Sequence, residues 1–152
     1  MEAIYRFLFP SKPDDTSVSL LLLALRILFG VLLAMHGVQK LSNFAELSTS
    51  FPDPLGVGNG LSLSLAIFGE LFCSLGFILG ALYRLALIPM IFTMGVVVFS
   101  VLGSAPFSSK ELPFIYLLVF IILFITGPGK YSIDRYIAVL VSKKKSTKKR
   151  NG

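Results

Sequence analysis

Four long apolar runs constrain this chain more than any other feature: about Ser17 to Met35, Leu61 to Leu82, Leu85 to Leu102 and Leu112 to Thr126. A bilayer core of about 30 Å takes roughly 20 residues of helix to cross. Inside that core no water satisfies backbone N–H and C=O groups, so a spanning segment must bond to itself as a helix or close into a barrel. Runs of this length and polarity select the helix. The expected fold is all-α: an integral membrane four-helix bundle. Composition agrees, because only 14% of the 152 residues are charged, against about 25% in a soluble domain, and the mean hydropathy is +0.82. The length suits one domain, with no internal repeat and no extramembrane enzymatic domain.

Local signals punctuate the runs. Asp14, Asp15 and Thr16 offer N-cap chemistry before the first. Arg84 follows the second run so closely that the second and third spans must be antiparallel neighbours joined by a tight turn. Pro89 should kink the third span, and Gly127-Pro128-Gly129 should end the fourth. Between the first two spans, Phe44, Leu47 and Phe51 recur at helical spacing before Pro52 and Pro54, which predicts a short interfacial helix and then a loop. Past the fourth, Ser132 can cap a helix in which Ile133, Ile137, Leu140 and Val141 share one face, the pattern of an amphipathic helix on the membrane surface. The divisions are then an N-terminal segment 1–16, a four-helix transmembrane domain 17–136, and the end of the surface helix with a polybasic tail over 137–152. The first run does not read as a cleaved signal, since it is long enough to span and is followed by His36, Gln39 and Lys40 rather than a small-residue cleavage site.

Charge sets an orientation. An even number of spans puts both termini on one side, with Arg6, Lys12, Arg84, Lys130, Arg135 and the six basic residues of Lys143 to Arg150, 11 in all. The other side holds 2, Lys40 and Lys110. The positive-inside rule makes both termini cytoplasmic, in what reads as a bacterial inner membrane. The tail reads as a disordered, solvated topology determinant, or as a patch for anionic lipid headgroups worth about 1 kcal/mol per basic residue near the surface. No aromatic residue is interleaved in it, which argues against nucleic acid.

Two isolated charges remain inside the runs, Arg26 in the first and Glu70 in the second. Ionisable groups at membrane depth face a partner or a cavity. Counting about 1.5 Å per residue from the span ends puts the two within about 5 Å of the same depth, and a bidentate arginine–carboxylate pair is a favoured geometry. Gly30, Gly37 and Lys40 lie near the Arg26 face. Gly76 and Gly80 form a small-xxx-small pair flanking the Glu70 face, with Ser74 almost directly beneath Glu70. Such a pair either locks two helices in register or lines a polar pocket that binds a headgroup or moves a proton. His36 and Lys40, near the outer end of the first span, serve as interfacial anchors or as a polar path toward Glu70. Cys73 lies one turn from Glu70 and reads as a small packing hydrophobe or, with Arg26, Glu70, His36, Lys40 and Ser74, as one of six candidate ligand-binding residues around the pair. One cysteine and one histidine exclude a Cys-x-x-Cys redox cycle and a His/Cys zinc cluster within this chain.

Taken together the motifs resemble the DoxX family. Arg26 followed after ten residues by Gly37-Val38-Gln39-Lys40-Leu41 looks like its first-helix signature. Gly69-Glu70 with Arg84 fourteen residues later is similar to its second helix, and Gly127-Pro128-Gly129-Lys130-Tyr131-Ser132-Ile133-Asp134 resembles its closing motif. The resemblance covers about Ser17 to Tyr136. It implies a four-helix bundle in which Arg26, Gly37, Lys40, Glu70, Arg84 and Asp134 are the shared polar or special positions. It further implies a membrane subunit of an oxidoreductase system, holding a quinone or another lipophilic molecule near Arg26 and Glu70, docking a soluble redox partner, or both. Whether such a subunit is itself an enzyme is left open by the resemblance. The alternative is a non-enzymatic assembly factor, receptor or scaffold. A transporter reading needs a homo-oligomer, because four spans in one chain are few. Many family members carry a histidine late in the third helix; here Val98-Phe99-Ser100-Val101-Leu102-Gly103 has none, so any electron chemistry falls to a bound quinone ring.

Overall fold

In the computed structural model of the chain, the backbone is described for residues 15–150 and side chains as far as Ser142. Residues 1–14, with Arg6 and Lys12 and the expected N-terminal segment, lie outside the described residues, as do the side chains of the polybasic run. Six helices follow: α1 (Thr16–Ser42), α2 (Phe44–Leu47), α3 (Asn59–Leu79), α4 (Tyr83–Val101), α5 (Phe107–Thr126) and α6 (Ile133–Arg150). α1, α3, α4 and α5 are each long and apolar enough to cross a membrane. No strand occurs among the described residues, so this is an all-α helical membrane protein.

Asp15 caps α1, accepting a bond from the Ser17 amide at 2.9 Å. The expected short helix after the first span is α2. Ser132 takes its expected place before α6, its hydroxyl accepting from the Arg135 amide. Three boundaries differ from expectation. α1 runs about two turns past Met35 to Ser42, because Gly37 is sheltered against α3 instead of exposed. α5 starts at Phe107, with Pro113 inside it and Pro106 preceding its first turn. The backbone of α6 continues through the polybasic run to Arg150, further than its apolar face predicts. Lysine and arginine are good helix formers, and the amphipathic turns before them supply the nucleus.

Helix packing in a membrane depends on close backbone approach more than on apolar burial. α1 and α3 meet through two glycines of α1. A Cβ on Gly30 would strike the Ile78 side chain, and one on Gly37 would lie 2.7 Å from the Leu71 Cβ. These contacts fix the antiparallel register, placing Gly37 opposite Glu70 and Gly30 opposite Phe77 and Ile78. α4 packs on the other side of α3, where Gly69 faces Thr93 and Gly76 faces Ala86. Gly76 therefore serves α4 and not α1. Phe77, Tyr83, Leu87, Met90, Phe120 and Leu123 fill the centre between the helices. Leu28, Ile88, Phe92 and Ile122 point outward, where lipid would lie.

The same register separates Arg26 from Glu70, and the expected pair does not form. Gly37, opposite Glu70, is eleven residues from Arg26, or about 16 Å along the axis. Depths counted from the ends of the apolar runs hold only for flush helices, and the glycine contacts stagger these. Arg26 instead reaches the end of α3 and the segment after α5. Its Nε donates to Phe77 O at 3.1 Å and Nη2 to Ile78 O at 2.6 Å, while Nη1 donates to Pro128 O and Tyr131 O, both at 2.8 Å. The carbonyls of a last helical turn have spare accepting capacity, Phe77 O taking only the Gly80 amide at 3.2 Å besides, and a cation there complements the helix dipole. Gly80, at φ 66°, ends α3 so close to this guanidinium that a Cβ would lie 2.6 Å from Nη2.

The α3–α4 turn is closed from a distance. Asp134, 2% exposed, accepts from the amides of Leu82 and Tyr83 through its two carboxylate oxygens, and its own amide donates to Gly80 O. It is the N-terminal cap of α4 supplied by α6, which also accommodates Leu82 at φ 47°. Arg84 stands over the Phe124 ring at 5.9 Å, tying α4 to α5.

Arg26→Lys keeps the charge but cannot reach two carbonyl pairs at once. Losing at least one charge-assisted bond is expected to lower unfolding stability in detergent by about 2 to 3 kcal/mol, read as a lowered Tm. An unchanged Tm would show that the guanidinium is not the tie.

Candidate functional site

Three of the six expected ligand-binding residues converge, at the other end of the bundle from Arg26. Lys40 Nζ donates to Glu70 Oε2 at 2.5 Å, with the lysine side chain 24% exposed and the glutamate 4%. α1 delivers Lys40 because it continues past Gly37. α3 delivers Glu70 from a π-helical turn, Phe68–Phe72, in which the Cys73 amide bonds to Phe68 O. Such single wide turns interrupt the regular helical ladder and recur at functional sites. The Ser74 hydroxyl donates back to the Glu70 carbonyl at 2.7 Å and supports that turn. His36 lies one turn before Lys40, its ring edge-on to Tyr116 with centroids 6.4 Å apart.

The remaining expected ligand-binding residues lie elsewhere. Arg26 is committed to backbone carbonyls, Cys73 is a buried member of the central packing, and Ser74 is spent on the π turn.

The ion pair stands between two cavities. The larger, about 660 Å³, lies between α3 and α4 under the loop that follows α2. Lys40, Glu70, Ser62 and Thr93 are its polar members, and Phe51, Pro54, Leu65, Phe68 and Phe92 are among the apolar ones. α3 and α4 touch at Gly69 and Thr93, and the space opens from there toward the loop end. α4 carries a π-helical turn of its own there, Val97–Val101, in the stretch where the family resemblance led one to look for a histidine. Both π turns contribute walls to this cavity. The smaller, about 170 Å³, lies among α1, α4 and α5, and shares Lys40, Glu70 and Val97 with the first while adding His36 and Tyr116.

The loop over the larger cavity is held by Asp53. Its carboxylate accepts from the Val57 amide at 3.0 Å, the Gly58 amide at 2.7 Å and the Ser62 hydroxyl at 2.7 Å. These bonds, the Ser62 hydroxyl first, hold the carboxyl below its usual pKa.

Tyr116, Asp53, Ser62 and Thr93 had not been singled out from the sequence. Tyr116 is the single hydroxyl-bearing residue between Leu112 and Ile125, and that isolation was the one available signal. Asp53 carries an acidic residue within a Pro- and Gly-rich loop, a common local-capping pattern. Nothing in sequence marks Ser62 or Thr93.

Two outcomes follow. Lys40→Met leaves the Glu70 carboxylate buried without its partner and is expected to lower stability by about 3 kcal/mol, with Lys40→Met/Glu70→Met recovering most of the loss; equal Tm values for both variants would refute a coupled pair. For Asp53, the lowered pKa means the folded loop favours the carboxylate. Its anchorage is complete above the ordinary value of about 3.9 and is lost as pH falls through the lower folded value. Asp53→Ala should therefore speed amide exchange at Val57 and Gly58 at neutral pH, a difference from wild type that disappears in strong acid.

The DoxX family profile matches residues 21–103, which is 83 of the 152 residues. That stretch contains Arg26, His36, Lys40, Glu70 and Thr93, while the Gly127-Pro128-Gly129 segment lies beyond it. No curated protein and no solved structure matches the chain significantly. With more than half of the sequence matched and four helices of spanning length, the chain belongs to the DoxX family of membrane proteins.

Proposed function

We propose that this DoxX protein is a membrane subunit of an oxidoreductase system that binds a quinone-like lipophilic molecule in the larger cavity, with the Lys40–Glu70 pair at its head. The observation that carries this reading is the cavity itself: about 660 Å³ with a largely apolar lining and a partly buried ion pair in one wall. That volume lies within the roughly 300–1,000 Å³ of small-molecule sites, which pair apolar walls with a few placed polar groups.

A quinone ring presents carbonyl oxygens that only accept hydrogen bonds. The Lys40 ammonium has three donors and gives one to Glu70, which leaves donors for such an oxygen. The Thr93 hydroxyl, on the opposite wall, offers another. An isoprenoid tail would leave past Phe68 and Phe92, both more than half exposed on the lipid-facing side. When bound, the quinone supplies the electron chemistry; the chain positions its ring and shields it. The association of the family with oxidoreductase-related membrane functions supports the same class of ligand.

The remaining assignments belong to the same proposal. Both termini face the cytoplasm, in a bacterial inner membrane, on the strength of the basic bias toward that side. α6 rests on the membrane surface: Tyr136, Ile137 and Leu140 are exposed apolar residues leading into the basic run, a composition suited to anionic lipid. A soluble redox protein would supply electrons from that side or the other.

Binding of a short-chain quinone analogue to the protein in nanodiscs tests the site. Ala66→Phe places a ring in the cavity and is expected to weaken binding at least about tenfold, and Lys40→Met should weaken it as well. Absence of binding to well-folded protein that instead retains a stable protein partner would overturn the ligand reading in favour of a scaffold.

A further inference from the structure

We infer that the smaller cavity is a hydrated vestibule, through which the Glu70 carboxylate exchanges protons with water at the loop end of the bundle. Three observations carry this.

Tyr116 is 3% exposed and lines the cavity, yet no described residue hydrogen-bonds to its hydroxyl. The ring is buried while the hydroxyl itself keeps some exposure, so it opens onto the cavity, where water is the available partner. Its ring is fixed edge-on to Phe29 at 5.7 Å and against Phe120 at 5.7 Å, so the phenol cannot swing away to find another acceptor.

The cavity is large enough for several waters, and four polar side chains stand on its wall. Its 170 Å³ compares with about 30 Å³ per water in the liquid. His36, Lys40, Glu70 and Tyr116 all border it, giving water the two to four polar partners it needs.

The position also suits access. The rim is formed by Leu112 and Pro113, near the loop end of α5, and by His36, near the loop end of α1. The larger cavity meets the same ion pair from the apolar side. One carboxylate is thus approached by the larger cavity from between α3 and α4 and by the smaller, with its four polar side chains, from among α1, α4 and α5. The titratable groups that face Glu70 are Lys40 and His36 from α1 and Tyr116 from α5. α4 contributes Met94, Thr93 and Val97, none of which titrates. Water in the vestibule hands a proton to the Glu70 carboxylate and takes it back, exchanging in turn with His36 or the bulk, with Tyr116 holding the water in line. Tyr116 and His36 are positioning residues in this account. The vestibule stands whether or not the larger cavity takes a quinone; its use in delivering protons to a bound ligand rests on that proposal.

The test uses the full chain in nanodiscs, in a Cys73→Ala background. Tyr116→Cys is treated with a charged methanethiosulfonate and, separately, with a lipophilic maleimide. Met90→Cys, from the fully buried centre, is the control. The charged reagent is expected to modify Tyr116→Cys at least about tenfold faster than Met90→Cys, since the reaction needs a hydrated thiolate. Should Tyr116→Cys fail to fold, His36→Cys on the same cavity replaces it with the same expectation. Modification by the lipophilic reagent alone, or by neither, overturns the vestibule. Quinone-analogue affinity is measured on the wild-type protein in parallel. Tight analogue binding with an unreactive Tyr116→Cys sinks the vestibule only, whereas a reactive cysteine without analogue binding sinks the ligand reading only.

Discussion

The tie between Arg26 and four backbone carbonyls organises one whole end of this protein. A guanidinium at membrane depth must satisfy its donors inside the fold, because lipid offers none. Arg26 does so with Phe77 and Ile78 at the end of α3 and with Pro128 and Tyr131 in the segment between α5 and α6. It joins elements that are 51 to 105 residues apart in sequence. The segment it holds leads directly to Asp134, which caps α4. The end of α3, the start of α4 and the start of α6 are therefore mutually dependent, and all of them depend on one side chain of α1.

The opposite end is built to a different purpose. There Gly37 brings α1 against α3 at the level of Glu70, and the extension of α1 presents Lys40 to it. Where the terminal end has its donors and acceptors bonded to one another, the loop end has two cavities and two π-helical turns around a single ion pair. Rigidity at one end and space at the other is an arrangement suited to a subunit that holds a guest in a fixed frame.

The sequence pointed to both intramembrane charges, and both matter, but it joined them wrongly. Opposite signs and similar apparent depth made Arg26 and Glu70 look like partners. Depth read from the ends of apolar runs assumes that neighbouring helices are flush. The stagger that defeats the assumption comes from where glycine lets two backbones touch, and a linear pattern cannot say which residue will face each glycine. Lys40 was placed near Glu70 only loosely, because the visible end of the first run at Met35 hid two further turns of helix. Tyr116 escaped notice for a related reason: a phenol in an apolar span carries no charge to attract attention, and what marks it, a hydroxyl that no described residue bonds, is a property of the packed state.

What the sequence determined alone is the solvent and the menu of elements. Four runs too apolar for water and too long for strands had to become spanning helices, and Asp15, Ser132 and Gly127-Pro128-Gly129 marked where several of them begin or end. Those outcomes follow from hydrogen bonding within a few residues along the chain, so local sequence suffices. The tertiary structure decided which charge meets which acceptor, where space remains, and that the carboxylate of α3 answers to a lysine instead of an arginine. Those outcomes depend on the relative sliding of whole helices by about a turn or two, on the order of 5 to 11 Å. Only close contacts between residues distant in sequence can fix such a displacement.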